Sequence, residues 1–140
     1  MNTRPLEDRF WEKVDKSGDC WLWTASTSGD GYGRIGVTGK WMQLAHRVAW
    51  ELLRGPIPEG LQIDHLCRVR ACVNPDHLET VTQRENILRG EGMAAKRAAQ
   101  THCRNGHPFS EENTYHRPDR RGRTCRTCRT AYMKAYRQAH

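Results

Sequence analysis

LQIDHLCRVRACVNPDHLETVTQRENILRG, residues 61–90, is the stretch on which the fold turns. It opens with a short apolar run, Leu61 to Leu66, that carries Asp64 and His65 near its end. A polar loop with two cysteines follows, from Cys67 to Asp76, and His77 to Val81 reads as the returning strand. Thr82-Gln83-Arg84-Glu85 spells a capping box, so a helix should start at Thr82, run to Arg89 and stop at Gly90. Strand, loop, strand and helix make a β-β-α unit over about 61–90. It offers the carboxylate of Asp64, the imidazole of His65 and the amide oxygen of Asn86. Phosphodiester hydrolysis uses such groups. A neutral imidazole takes a proton from water near pH 7, and a hard divalent ion held by carboxylate and amide oxygens neutralises charge on the leaving oxygen.

Upstream, Leu6, Phe10, Trp11 and Val14 have the spacing of a short amphipathic helix. Aromatic Cys20 to Thr24, then Tyr32 to Val37 and Trp41 to Ala45, read as strands separated by turns at Ser26–Gly31 and Thr38-Gly39-Lys40. From Ala45 to Leu53 the pattern becomes helical, with Val48, Ala49, Leu52 and Leu53 on one side, and Gly55-Pro56-Ile57-Pro58 ends it. Downstream, 92–100 reads as a linker with some helical propensity, and Thr130 to Gln138 as a basic helix. The expected architecture is α+β. It has a domain at 1–91, the linker 92–100 and a zinc-ribbon-like module at 101–140.

Charge is unevenly placed. Residues 1–95 hold 12 basic and 13 acidic side chains, whereas 96–140 hold 11 and 3, so the last third carries all of the +7 excess. Such a block marks a polyanion partner, nucleic acid being the commonest. Arg117, Arg120, Arg121, Arg123, Arg126, Arg129, Lys134 and Arg137 are the candidate phosphate contacts, interleaved with Tyr115, Tyr132 and Tyr136. Spacing alone does not separate DNA from RNA. Only 36% of residues are hydrophobic, too few for one large core, so metal or disulfide should support the small parts. No apolar run marks a signal peptide or a membrane span, which leads us to expect a cytoplasmic protein with reduced thiols.

The six cysteines then read as metal ligands or buried thiols rather than as three disulfides. Cys103-x3-His107 and Cys125-x2-Cys128, separated by 17 residues, form the pattern of a tetrahedral zinc ribbon or knuckle. His102 and His116 compete with His107, but Asn105-Gly106 permits the tight turn that His107 needs. Cys67-x4-Cys72-x4-His77 gives three further ligands.

The residues Ile63 to Cys67, Cys72 to Glu79 and Glu85-Asn86 together resemble the HNH, or ββα-metal, endonucleases and the related His-Cys box homing endonucleases. The likeness runs over about Leu44 to Gly90 and is strongest to small HNH proteins of bacteriophages. It implies a metal-dependent endonuclease acting on DNA. His65 would be the general base, Asp64 and Asn86 the holders of one catalytic Mg²⁺ or Mn²⁺, and Asn74 a loop-positioning residue. Many HNH enzymes carry a metal-binding His where Asn86 stands, and an Asp/Asn oxygen pair favours Mg²⁺ or Mn²⁺ over Zn²⁺. By the same resemblance Cys20 completes a structural zinc site with Cys67, Cys72 and His77. That makes two zinc ions per chain. His46-Arg47 matches a His-Arg pair of the family. Arg47 is a candidate phosphate contact or a salt-bridging residue, and His46 is structural or catalytic. One site cuts one strand, so nicking by a monomer is the default expectation, with double-strand cleavage the other outcome. The alternative is an inactive, zinc-containing nucleic-acid-binding or phage packaging accessory protein.

Overall fold

The computed structural model describes residues 4–38, 41–119 and 122–140. The turn expected at Gly39-Lys40, and Arg120 and Arg121, lie outside the described residues. The chain forms two units, Met1–Gly90 and Glu91–His140, in a mixed α+β architecture.

In the first unit the order is α1 (Leu6–Trp11), β1 (Val14–Asp15), β2 (Leu22–Trp23), β3 (Arg34–Thr38), β4 (Trp41–Leu44), α2 (Ala45–Arg54), β5 (Leu61–His65), a 3₁₀ turn (Pro75–His77), β6 (Leu78–Thr82) and α3 (Gln83–Arg89). β1 pairs with β2, β3 with β4 and β5 with β6, each antiparallel. Phe10 is fully buried and packs its ring against Trp11 and Trp23, at centroid distances of 4.8 and 5.2 Å. Ile35, Ala45, Val48, Ala49 and Val73 close around them. On α2 the buried residues Ala45, Val48 and Ala49 keep the helical stripe read from sequence, and Leu52 packs against the same core. Leu53 does not. It is 47% exposed, because the helix turns it off the stripe one residue beyond Leu52. Gly55 ends α2 at φ +90°, a conformation that side chains with a Cβ resist.

Short connections hold the elements together. Trp23 N donates to the Ala71 carbonyl at 2.9 Å and Val73 N to the Trp21 carbonyl at 2.8 Å, so the β2 strand docks on the loop between β5 and β6. Gly33 lies flat beneath Trp23. A Cβ there would meet Trp23 Cδ1 and Cγ at 2.6 Å and Ala45 Cβ at 3.0 Å. We expect Gly33→Ala to destabilise the domain by about 1–3 kcal/mol through overpacking. Gly18→Ala, with nothing within 4 Å, is the neutral control. Urea unfolding midpoints check the pair, and equal midpoints would mean the core yields at Trp23.

The second unit contains α4 (Met93–Ala99), β7 (Thr114–His116) paired with β8 (Arg123–Cys125), and α5 (Arg126–Ala139). Residues 92–100, read as a linker, are helical over most of their length. The Arg123 guanidinium caps that helix by donating to the carbonyls of Arg97, at 2.7 Å, and Gln100. α5 starts four residues earlier than its basic pattern indicated, because Cys125 caps it by accepting from Cys128 N. Among the described residues of this unit only Thr114 and Cys125 are buried. No helix of the described residues is long and apolar enough to cross a membrane.

Candidate active site and two metal clusters

β5 and β6 place the acidic and amide groups. Their register sets Gln62 opposite Val81, Asp64 opposite Glu79 and His65 opposite Leu78. Side chains alternate along a strand, so Gln62 and Asp64 share one face, and Glu79 stands across from Asp64 on that face. α3 follows β6 without a loop. Thr82 Oγ1 accepts from Glu85 N at 3.2 Å, and Glu85 Oε2 accepts from Thr82 N at 2.9 Å, which is the capping box expected from sequence. The helix therefore returns across β5, and Asn86 Nδ2 donates to Gln62 Oε1 at 2.9 Å. This bond occupies the amide nitrogen and leaves Asn86 Oδ1 as the atom open to a cation.

Asp64 is 5% exposed. Its Oδ1 accepts from Arg68 at 2.9 Å. Its Oδ2 is sealed from solvent without a hydrogen bond, and Arg89, bound more closely by Glu79 at 2.5 Å, lies 3.5 Å from it. A buried carboxylate oxygen with no donor is costly and calls for a partner. Arg68 adopts φ 59° at the start of the loop, which swings its guanidinium back onto Asp64.

His65 leaves the opposite face of β5 and meets α2. Its Nε2 donates to the Cys72 carbonyl at 3.0 Å, so Nδ1 is the ring's proton acceptor. The His46 ring lies edge-on at 4.6 Å and Tyr32 at 5.7 Å. Burial lowers the affinity of His65 for protons. The Cys72 carbonyl and Asp64 oppose that effect, and Arg68 and Arg70 add to it. His46, with Nδ1 buried and unpartnered, is pushed down to about 3, chiefly by burial and then by His65 and Arg47. Both rings are neutral at pH 7. His65 is 5% exposed, more enclosed than the base expected from sequence. The structure thus brings Asp64 and Asn86 to one face of β5 and turns His65 toward the other. Arg47 is half-buried, with no hydrogen bond or ion pair among the described residues.

Asn74 lies in the loop, and its side-chain hydrogen bonds go to neither His65 nor Asp64. It accepts from Asp76 N at 3.0 Å, capping the 3₁₀ turn, and donates to the Asp19 carbonyl at 3.0 Å. That second bond ties the loop to a segment 55 positions upstream and brings Cys20 to it. Cys20, Cys67, Cys72 and His77 then present ligand atoms all within 4.8 Å of one another. His77 Nδ1 lies 3.5 Å from Cys20 Sγ and 3.6 Å from Cys72 Sγ. In the tail Cys103, His107, Cys125 and Cys128 do the same. Cys103 Sγ and Cys128 Sγ are 3.7 Å apart, and His107 Nδ1 lies 3.4, 3.7 and 3.2 Å from Cys103, Cys125 and Cys128. A tetrahedral zinc with Zn–S near 2.3 Å and Zn–N near 2.05 Å has S···S edges of about 3.8 Å and S···N edges of about 3.6 Å. The tail distances and the two S···N distances of the first cluster lie near these edges, and all six cysteines are free of disulfides. Cys128 N and Asn113 Nδ2 donate to Cys125 Sγ and hold that thiol down to about 6, while Asn105 Nδ2 donates to Cys128 Sγ. In the first cluster burial pushes the Cys72 thiol up to about 12.

The basic tail residues divide. Arg126 and Arg129 hold their guanidinium groups over Tyr115 at 5.8 and 4.5 Å, and with Lys134 and Arg137 they line a groove along α5. Tyr132 and Tyr136 are exposed and stacked. Arg117 is exposed. Arg123 donates to the carbonyls of Arg97 and Gln100 and lies over the Phe109 ring at 4.2 Å.

Sequence reasoning passed over Gln62, Glu79, Arg89 and Tyr32. The first three follow from the β5–β6 register, which the 12-residue connection between the strands hides. Tyr32 comes from a distant loop, and nothing local to it signals its place beside two histidines.

Comparison with known proteins agrees with this geometry. Residues 43–88 match the family described as HNH endonuclease. Among curated proteins the chain is similar to the gene 5.3 protein of Enterobacteria phage T3, 42% identical over 65 residues, which is 43% of this chain and 64% of that protein. It is also similar to proteins 7.7 and 2.8 of Escherichia phage T7, each 38% identical, over 56% and 58% of this chain and 57% and 56% of theirs. The chain thus spans a little over half the length of the curated relatives it matches. No solved structure matches it. The segment that carries Asp64, His65, Asn74 and Asn86 on two strands and a capped helix is thus the part of the chain that matches the HNH endonuclease family.

Proposed function

We propose that this protein is a divalent-metal-dependent DNA endonuclease, with Asp64 and Asn86 holding one Mg²⁺ or Mn²⁺, His65 as general base, and a zinc-supported tail that grips DNA. The observation that carries the reading is the pairing of a buried, donorless Asp64 Oδ2 with an Asn86 amide whose nitrogen is already bound. Two oxygens on one strand face suit a hard cation. Bound there, the ion supplies positive charge against the leaving oxygen. His65, neutral and oriented by the Cys72 carbonyl, accepts the proton of the attacking water at Nδ1. Arg47, with no internal partner, binds a phosphate beside the scissile bond.

Both Cys/His clusters are structural zinc sites in this proposal, because four protein ligands leave no position for water. Nicking of supercoiled plasmid by the purified zinc-loaded chain tests the function. Cleavage should appear on adding Mg²⁺ or Mn²⁺ and be absent without them. The enclosure of His65 and the two guanidinium groups on Asp64 favour a second reading, a DNA-binding scaffold without cleavage. That reading holds if no metal supports nicking while binding persists.

The tail should grip phosphates through Arg126, Arg129, Lys134 and Arg137. Each phosphate neutralised contributes about −0.9 to the slope of log K against log salt. Replacing all four by Gln should flatten that slope by about 3–4 units on duplex DNA, read by fluorescence anisotropy across a salt series. An unchanged slope would move the DNA-binding surface elsewhere.

A further inference from the structure

We propose that Glu79 is a third oxygen ligand of the divalent ion, and that Arg89 occupies the ion's place until it arrives. The inference rests on the reading of Asp64 and Asn86 as a metal site. Glu79 is the direct cross-strand partner of Asp64, with both side chains on the α3 face of the β5–β6 pair. Like charges placed directly opposite each other repel, and Arg89 is the cation the two share, Arg68 being bound to the other Asp64 oxygen, Oδ1. Arg89 lies 2.5 Å from Glu79 Oε2 and 3.5 Å from Asp64 Oδ2. It satisfies the first and leaves the second, buried at 5% exposure, without a hydrogen bond. A guanidinium stretched between two carboxylates at unequal distances, reaching one of them poorly, marks the place of a positive charge that another cation can fill better. An ion taking Asp64 Oδ2 and Asn86 Oδ1 meets the Glu79 carboxylate from the facing strand. Three oxygens from β5, β6 and α3 form a donor set suited to Mg²⁺ or Mn²⁺. Glu79 is 46% exposed at its side chain and Arg89 37% exposed, so both can rearrange without opening the core.

Mn²⁺ binding by the zinc-loaded chain, followed by the loss of free-ion electron paramagnetic resonance signal, tests this without reference to activity. Glu79→Gln should weaken Mn²⁺ binding by about tenfold or more, and Arg89→Gln should strengthen it by removing the competing cation. The double variant separates ligation from anchoring. If Glu79 ligates the ion, Glu79→Gln weakens binding in the Arg89→Gln background as well. If Glu79 only holds Arg89 off Asp64, the double variant binds as Arg89→Gln does, and the proposal is overturned. Asp64→Asn is the reference. Loss of binding there with wild-type binding in Glu79→Gln sinks the third ligand alone, whereas no loss in Asp64→Asn sinks the metal site itself.

Discussion

Replacing His65 by alanine should reduce plasmid nicking by about 10²–10⁴-fold while leaving affinity for the same DNA within about twofold, since phosphate contacts supply most of that affinity. The two effects separate because the ring packs beside Tyr32 and His46 and donates to the Cys72 carbonyl, whereas the proposed phosphate contacts are the arginines and lysine of α5. Alanine also removes the donor to that carbonyl and opens space beside His46, so stability must be followed together with rate. His65→Gln is the sharper variant. It keeps an N–H for the Cys72 carbonyl and fills most of the volume, but it has no basic nitrogen. If His65 is a base, both variants are inactive, and only the alanine variant unfolds early. If the ring is merely a packed core histidine, His65→Gln retains cleavage, and the base must be sought elsewhere. A pH–rate profile adds a second check. Burial lowers the proton affinity of the ring, so the base form persists to lower pH than in a free imidazole. The acid limb should fall below the ordinary imidazole range.

What could be read from the sequence follows the range of the interactions involved. The capping box at Thr82 and Glu85 is local chemistry within four residues, and it places α3 and Asn86. The tail ligands are equally legible, because close pairs such as Cys125 and Cys128 leave little choice of geometry. Cys20 is a different case. Its place beside His77 depends on long-range bonds, Asn74 to the Asp19 carbonyl across 55 positions and the backbone bonds that dock β2 on the β5–β6 loop. The family resemblance supplied it, together with its being the one other cysteine outside the tail. Glu79 and Arg89 needed the strand register, and Tyr32 needed the tertiary packing of a loop. The enclosure of His65 was hidden for the same reason, since His46 and Tyr32, which cover it, come from α2 and from the loop before β3. The linker reading of 92–100 missed a contact that sequence does not show, the reach of Arg123 back to the carbonyls of α4.

Removing zinc should unfold the second unit and leave the first largely standing. The first unit has an aromatic core around the fully buried Phe10, whereas the second buries only Thr114 and Cys125 among its described residues. β7 and β8 are three residues each, and a lone hairpin of that size is marginal in water. α5 has 14 residues, none of them buried, which is at the length where isolated helices barely form. The four ligands tie the turn at 103–107 to the hairpin end and to the first turn of α5. Metal binding of about 10–16 kcal/mol is therefore most of what this unit has to offset its chain entropy. Cys125→Ser should abolish amide protection throughout α5 in hydrogen exchange, with protection in α2 and β5 unchanged. Zinc content should fall from about two ions per chain to about one. DNA binding should weaken together with the helix, because Arg126 and Arg129 are aligned only while α5 is folded over Tyr115. Should α5 remain protected in Cys125→Ser with one zinc lost, packing among Tyr115, Phe109 and the arginines over them would have to hold the unit together, and the metal would be an accessory to a fold already formed.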